Sequence, residues 1–316
     1  MGLFSLLLKI RTELECTQAE MVEKLSLHHK VFVNLDLITY SRWERGVSMP
    51  STLRIIHLLS FAHYDVMKYL VKLDLKLSKT KINQMTRIEA HAYDQQALIQ
   101  SALYPIPNAS FQHYSGTQSL TDMSKLQKIC DSSRRFFKLD HLDVQQRCER
   151  LITLQEKHSL HMLTCEGKDE CLYAHAMLSV HNLYEREELW GEFRDFYNSP
   201  RKVTAGGDKV ILFHSMMRFN FQWWEYICLY LLKVLCLEPE IKEIFFIVRD
   251  KNTEQIYVNF GFNVEAEVES EHKNAFEGIR KLISINRDNL FSHHGLIAWL
   301  KAHTDLMTRL RLVSSA

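Results

Sequence analysis

The strongest constraint on this chain is a hexapeptide, Ser41-Arg42-Trp43-Glu44-Arg45-Gly46, preceded by two helix-starting residues, Thr17 and Asp36. Upstream of both, Leu6, Leu7, Ile10 and Leu14 recur at helical spacing and predict a first helix with one apolar face. Thr17 is placed to cap a free amide of the next turn, and Glu20 completes a capping box, so a second helix is predicted from Gln18 to Leu25. Asp36 caps a third helix running through Glu44, which Gly46 stops in a left-handed turn. Within that helix Tyr40 and Trp43 share the inward face, leaving Leu37, Ile38, Ser41 and Arg42 outward. Leu53, Ile56, Leu59, Val66, Leu70 and Leu73 continue at helical periods, and an all-α domain is expected over residues 1–77.

Thr17-Gln18-Ala19-Glu20, the hexapeptide and Pro50-Ser51 together resemble the XRE/Cro-type helix-turn-helix family of repressors. The resemblance implies double-stranded DNA as partner. Thr17, Gln18, Lys30, Leu37, Ile38, Thr39, Ser41, Arg42 and Arg45 would contact the DNA, with Gln18 at a phosphate and Leu37, Ile38, Ser41 and Arg42 toward the groove. Arg42 has the two-donor fork that suits guanine, and Ile38 suits a thymine methyl. The resemblance also implies a buried pair between Arg11 and Glu44. Two departures stand out. Glu15 occupies a turn position where the family has Gly, and Leu27 to Asn34 lengthen the connection into the third helix.

Length and composition frame the rest. A chain of 316 residues with 46% hydrophobic residues supports two domains with real cores. Seven cysteines occur without a CxxC, which fits free thiols in a reducing cytosol, and a cytoplasmic location is expected. The longest apolar run, Tyr226 to Leu237, is interrupted by Lys233 and is too short to span a bilayer, so no membrane role is expected. With a formal net charge of only +1, attraction to nucleic acid would depend on a local patch formed by Lys9, Lys30, Arg42, Arg45 and Arg54. Ten glycines and five prolines are few for this length, which favours long helices.

A polar helix from Ser78 to Leu103 is predicted to connect the halves, and Tyr104-Pro105-Ile106-Pro107-Asn108 breaks it, giving a connector over 78–109. Beyond it, helical patterns at 121–138 and 143–157 lead to a hairpin, Ser159–Glu166 with Cys171–Val180. A polar helical stretch (Arg186–Tyr197) follows, then a strand at Lys209–Met217, a buried helix at Trp223–Cys236 and a strand at Glu243–Val248. A short helix at Asn252–Asn259 and a strand at Asn263–Val268 end the series. His272–Ile285 and Asn289–Leu312 read as two amphipathic helices, with a dimer interface as one use for residues 271–316.

That order, with Ile256-Tyr257-Val258-Asn259-Phe260-Gly261-Phe262 near its end, resembles the GNAT acyltransferase fold over residues 110–270. The resemblance implies acetyl-CoA held by a glycine turn between a strand and a helix, and Tyr257 as general acid. The matching stretch is Arg218-Phe219-Asn220-Phe221-Gln222-Trp223, with Phe221 and Trp223 at the glycine positions, and Asp250 stands where the family often has Asn. Rings at those positions would fill the phosphate cradle, and the strand at Lys209–Met217 offers no carboxylate as general base. Arg218, Phe221, Trp223 and Tyr257 are therefore assigned to ligand binding and no residue to catalysis, with Phe219, Phe221, Trp223 and Trp224 lining a pocket or filling the core. His28-His29 and His293-His294 read as surface or loop residues. His158-x-x-His161 lacks partners at metal spacing, and no metal is expected.

The expected whole is an α+β multidomain protein, with an N-terminal all-α helix-turn-helix domain, a C-terminal α/β GNAT-like domain with a mixed central sheet, and extra C-terminal helices. Its expected role is a homodimeric, sequence-specific transcriptional regulator, not an enzyme and without cofactor, whose C-terminal domain takes a small-molecule or protein effector. The alternative is an active N-acyltransferase carrying a DNA-binding N-terminal domain.

Overall fold

The computed structural model describes residues 2–94, 110–115, 126–131, 143–157, 159–167, 172–182, 208–216, 221–248, 250–268 and 280–309. The chain forms two compact units, Met1–Met85 with Asp288–Ala316, and Thr86–Arg287. This division differs from the expected boundary at Tyr104–Asn108, which lies outside the described residues. The change from one unit to the other falls inside a continuous helix, Lys79–Asp94.

The first unit begins with helices α1 (Leu3–Glu13), α2 (Gln18–His28), α3 (Leu37–Glu44), α4 (Thr52–Phe61), α5 (Val66–Lys72) and α6 (Lys79–Asp94). The starts of α2 and α3 follow from side-chain caps at the two expected positions. Thr17 Oγ1 accepts from Glu20 N at 3.2 Å while Glu20 Oε2 accepts from Thr17 N at 2.7 Å. Asp36 Oδ1 accepts from Thr39 N at 2.6 Å. Leu6, Leu7 and Ile10 of α1 are buried, as are Tyr40 and Trp43 of α3. Gly46 takes φ +69° after α3, and Glu15 takes φ +51° without being glycine, so this turn carries backbone strain. The long connection after α2 is a packed 3-10 turn, Lys30–Phe32, anchored by the fully buried Phe32.

Glu44 sits at the centre of this packing. Its carboxylate accepts from Arg11 Nε at 2.6 Å, Arg11 Nη2 at 3.2 Å and Gln18 Nε2 at 2.6 Å, so α1, α2 and α3 meet on one buried anion. Arg11 also donates to Cys16 O at 3.0 Å, and the carboxylate raises the guanidinium pKa above its usual value.

The last residues of the chain complete the same unit. The expected helix over Asn289–Leu312 is three helices, α10 (Arg287–Phe291), α11 (His294–Ala302) and α12 (Thr304–Arg309), the numbers α7 to α9 belonging to the second unit. The break before α11 is set by His293, whose Nδ1 accepts from Gly295 N at 3.2 Å. Leu296, Ile297, Trp299 and Leu300 are buried, Lys301 Nζ donates to Leu73 O at 2.6 Å, and His294 Nδ1 accepts from Ser78 N at 3.0 Å. Leu296, Ile297, Trp299 and Leu300 thus pack inside the unit, while Leu310 of the same expected face lies outside the described residues. Gly295 is required there, because a Cβ would lie 2.2 Å from Lys81 O. The histidine pairs read as surface residues are likewise structural: His293 is buried and His29 stacks on His57.

The second unit is built on a seven-stranded sheet with order β1-β2-β3-β4-β5-β7-β6. The strands are β1 (Ser110–Ser115), β2 (Ser159–Glu166), β3 (Leu172–Asn182), β4 (Lys209–Met216), β5 (Ile241–Val248), β6 (Asn263–Val268) and β7 (Arg280–Asn286). Only β4 and β5 pair in parallel; the other neighbours are antiparallel. Its helices are α7 (Val144–Lys157), α8 (Phe221–Leu237) and α9 (Lys251–Phe260), with a short helical segment at 126–131. The expected helix over His272–Ile285 is corrected by β7, which lies between β5 and β6. Leu282, Ile283, Ser284 and Ile285 are all buried, so both faces of this strand are covered and its sequence shows no alternation. The polar stretch Arg186–Tyr197 lies outside the described residues.

Strand periodicity sorts the helices onto two faces. Leu160 and Met162 of β2 pack with Leu126, Ile129, Cys148 and Leu151, whereas His161 between them meets Tyr230 of α8. Cys130 and Cys148 face each other with sulfurs 3.6 Å apart as thiols, and burial pushes the Cys130 thiol up to about 12.

Buried Glu44 and His175 and the exposed turn residue Glu15 each give a testable expectation. Glu44→Ala leaves Arg11 and Gln18 without their acceptor and is expected to cost about 3 kcal/mol in urea unfolding, while Glu15→Gly relieves a positive φ and is expected to stay within about 1 kcal/mol of wild type. His175 is fully buried, and burial pushes its pKa down to about 3. The folded unit holds this ring neutral while the unfolded chain protonates it near pH 6.5, so stability is full above that pH and declines below it. Between pH 6.5 and 5, His175 alone should contribute a slope that grows from about 0.7 to about 1.3 kcal/mol per pH unit; unfolding free energies that do not fall over that range would sink the assignment.

Candidate functional site

The parallel pair β4–β5 determines where a ligand can enter the second unit. Pairing runs from Lys209 opposite Ile241 to Leu212 opposite Phe245 and then stops. β4 continues to Met216 along β3, and β5 continues to Val248 along β7. The inner edges of Phe213–Met216 and Phe246–Val248 therefore make no pairing with each other, and a wedge opens at the carboxyl ends of the two strands. This is where α/β sheets take ligands, because the diverging strands leave main-chain donors and acceptors to be satisfied. A register shift against β3 brings Phe213 and Ser215 opposite the consecutive residues Leu178 and Met177, leaving His214 as an extra residue in β4 at the wedge.

Aromatic rings close the apex. Phe213 stacks on Phe246 with centroids 4.6 Å apart and an interplanar angle of 27°. Phe246 in turn meets Phe262 at 5.6 Å and Tyr257 at 6.2 Å, and Tyr257 and Phe262 meet edge to face at 5.1 Å. The Tyr257-to-Phe262 motif thus packs its first and last residues beside the wedge, with Tyr257 half-buried.

A helix follows each parallel strand, and the two N-termini differ in charge. At α9, Asp250 caps the end, accepting from Thr253 N at 2.8 Å and from Thr253 Oγ1 at 2.6 Å, so a carboxylate already occupies the position an anion would take. The first turn of α8 has no acidic residue, which makes it the more receptive end for a phosphate. Arg218 in the preceding turn lies outside the described residues. Trp223 is fully buried, stacked on Tyr226 at 5.7 Å and tilted against Phe111 of β1, also at 5.7 Å. Its ring is core, and Trp224 is buried as well. The objection that a ring at 223 fills the phosphate cradle therefore loses its basis.

The structure brings together one cluster that the sequence did not disclose. The Tyr230 hydroxyl of α8 lies 2.6 Å from His113 Nε2 on β1 and 2.7 Å from His161 Nδ1 on β2. A hydroxyl has one proton, so it donates to one ring and accepts from the other. Desolvation of its ring pushes the exposed His113 down to about 4, and burial lowers His161, so both rings are neutral at pH 7, while burial raises Tyr230. The detectable signal was the spacing Trp223, Tyr226, Tyr230 on one helix face; the partner strand β1 carried no recognisable pattern. His158 lies outside the described residues.

In the first unit, Leu37 is 47% and Ile38 71% exposed, and Lys30, Arg42 and Arg45 are exposed as well. Thr39 and Ser41 are half-buried. Thr17 and Gln18 are engaged internally, Thr17 in its capping box and Gln18 on Glu44.

No protein-family model matches the chain, and no curated protein matches it in sequence. Solved structures do resemble it. An N-acetyltransferase from Staphylococcus aureus Mu50 is 9% identical, with 57% of this chain and 99% of that one covered at a TM-score of 0.32. A GNAT-family acetyltransferase from Bacillus anthracis is 11% identical over 57% of this chain and 98% of that one, at 0.33. The AHL synthase LasI is 10% identical over 60% and 96%, at 0.39. These comparisons correct the expectation of a DNA-binding transcriptional regulator that is not an enzyme: the structures that resemble this chain are acetyltransferases and a synthase.

Because Trp223 is core, Trp223→Ala is expected to lower unfolding free energy by about 3–5 kcal/mol. A variant of wild-type stability with altered ligand affinity alone would place the ring in a binding pocket instead.

Proposed function

We propose that the unit Thr86–Arg287 is an acyltransferase that moves an acyl group from a coenzyme A thioester to an amine. The observation that carries this reading is the end of β4–β5 pairing at Leu212 and Phe245 while both strands continue. An extended amide-bearing arm such as pantetheine can hydrogen-bond to the two open strand edges as a short added strand would. The α8 N-terminus, free of acidic residues, suits the pyrophosphate, and the carboxylate of Asp250 keeps it from α9.

In the proposed reaction the neutral amine attacks the thioester carbonyl, and the C–S bond breaks as the new C–N bond forms. Main-chain N–H groups at the wedge would hold the carbonyl oxygen as its charge develops. The departing thiolate needs a proton, and Tyr257 at the wedge is the assigned donor; its own proton is recovered from the ammonium formed on the product side through solvent. We also read α1–α5 of the first unit as a five-helix fold of helix-turn-helix type, on the support of capped α2 and α3, the turn at Lys30–Phe32 and the Arg11–Glu44 pair.

Calorimetric titration of the full chain with acetyl-CoA is the test, with binding expected in the range from about 1 μM to 1 mM. Tyr257→Phe should retain that binding and lower thiol release in the presence of an amine panel by about 100-fold. Absence of acetyl-CoA binding would overturn the acyltransferase reading, and unchanged thiol release in the variant would remove Tyr257 from it.

A further inference from the structure

His29, His57 and Asp288 come from three distant parts of the chain, and their ligating atoms all lie within 4.8 Å of one another. His29 ends α2, His57 lies in the second half of α4, and Asp288 opens the C-terminal part of the first unit in α10. His57 is buried, and His29 and Asp288 are half-buried, so the cluster is reachable from solvent yet walled by protein. His57 Nε2 lies 3.0 Å from Asp288 Oδ2, and the His29 and His57 rings stack with centroids 3.6 Å apart.

We propose that these three side chains form a binding site for a first-row divalent transition ion of the zinc class. Two imidazoles and one carboxylate are the nitrogen and oxygen donors such ions prefer, and the remaining coordination positions go to water. The spacing suits the chemistry. Two ligands held about 2.0–2.2 Å from one ion, at neighbouring positions, lie about 3 Å apart, as His57 and Asp288 do, with the ion replacing the proton between them. Burial first, and the neighbouring His57, push the His29 pKa down to about 4, so this ring is neutral at pH 7 and gives up no charge on binding.

Seating the ion requires His29 to move. Its ring is only 13° from parallel to that of His57, and two parallel rings cannot both aim an in-plane lone pair at one point. Rotation about its side chain also releases the 3.2 Å hydrogen bond that Nδ1 accepts from Val31 N. Lys30, adjacent in sequence, places a positive charge nearby, and Asp288 is the counter-charge that offsets it. Once bound, the ion would join the end of α2, the middle of α4 and the C-terminal helices, so its expected effect is to fasten the returning end of the chain within the first unit.

The test uses the full chain stripped with chelator and titrated with zinc chloride alone. Wild type is expected to show a midpoint of thermal unfolding that rises with zinc concentration. His29→Ala and Asp288→Asn should weaken zinc affinity at least about tenfold, while His63→Ala, which removes an exposed imidazole, should leave it unchanged. No zinc-dependent rise in wild type would overturn the proposal, as would equal loss in His63→Ala. Should either ligand variant fail to fold, cobalt(II) added to wild type decides the matter: a visible ligand-field band together with two paramagnetically shifted imidazole signals supports the site, and their absence overturns it.

Discussion

One parallel pairing in an otherwise antiparallel sheet governs the second unit. Antiparallel neighbours can be joined by a tight turn, but parallel neighbours need a crossover, and α8 is that crossover between β4 and β5. To return from the end of β4 to the start of β5, α8 must lie across one face of the sheet. Its apolar sequence, with Trp223, Leu229, Leu232 and Leu235 buried, fits that enclosed path. The same path places Tyr226 against Phe111 and carries Tyr230 onto His113 and His161. Strand twist does the rest: after four residue pairs β4 and β5 part, each held by its outer neighbour, and the wedge is the consequence.

In the first unit a single carboxylate plays the corresponding part. A buried charge is tolerable only when paired and hydrogen-bonded, and Glu44 meets that condition by drawing Arg11 from α1 and Gln18 from α2. The arrangement makes the three helices mutually dependent, since each supplies a group that has no other equivalent partner at that point. Around it the connections are tight, with Glu15 held at a positive φ and Phe32 driven into the core. The Arg54 guanidinium over the Trp43 ring, 5.4 Å from its centroid, ties α4 to the same helix α3.

Legibility followed the range of the interaction. Thr17, Glu20, Asp36 and Gly46 act within one helical turn of themselves, and each does in the structure what its position implied. The strands β4, β5 and β6 and the helices between them were readable because each contrasts with its neighbour in period or length. β7 was not, because a strand covered on both faces reads like any other apolar run, and its place between β5 and β6 depends on pairings from Val268–Arg280 to Glu243–Asn286, 12 to 43 positions apart. The C-terminal helices showed their apolar faces plainly, yet nothing local stated that Leu296, Ile297 and Leu300 would be covered by the chain's own first helices. At the wedge, the Tyr257 motif was visible in the sequence, whereas for Trp223 a pocket lining and a place in the core were both open, and only the fold buries its ring.

By itself the sequence determined the starts of α2 and α3, the glycine stop after α3 and the α/β character of the second unit, since caps and hydrophobic periods act locally, while the Arg11–Glu44 pair came from the resemblance to helix-turn-helix repressors. Tertiary structure alone decided the strand order, the point where β4 and β5 diverge, the return of Asp288–Ala316 to the first helices, and the meetings of His113 with Tyr230 and of His29 with His57 and Asp288. The physical reason is that such contacts join residues whose separation along the chain carries no periodic signal; they exist only once burial of the apolar faces has set which elements lie side by side.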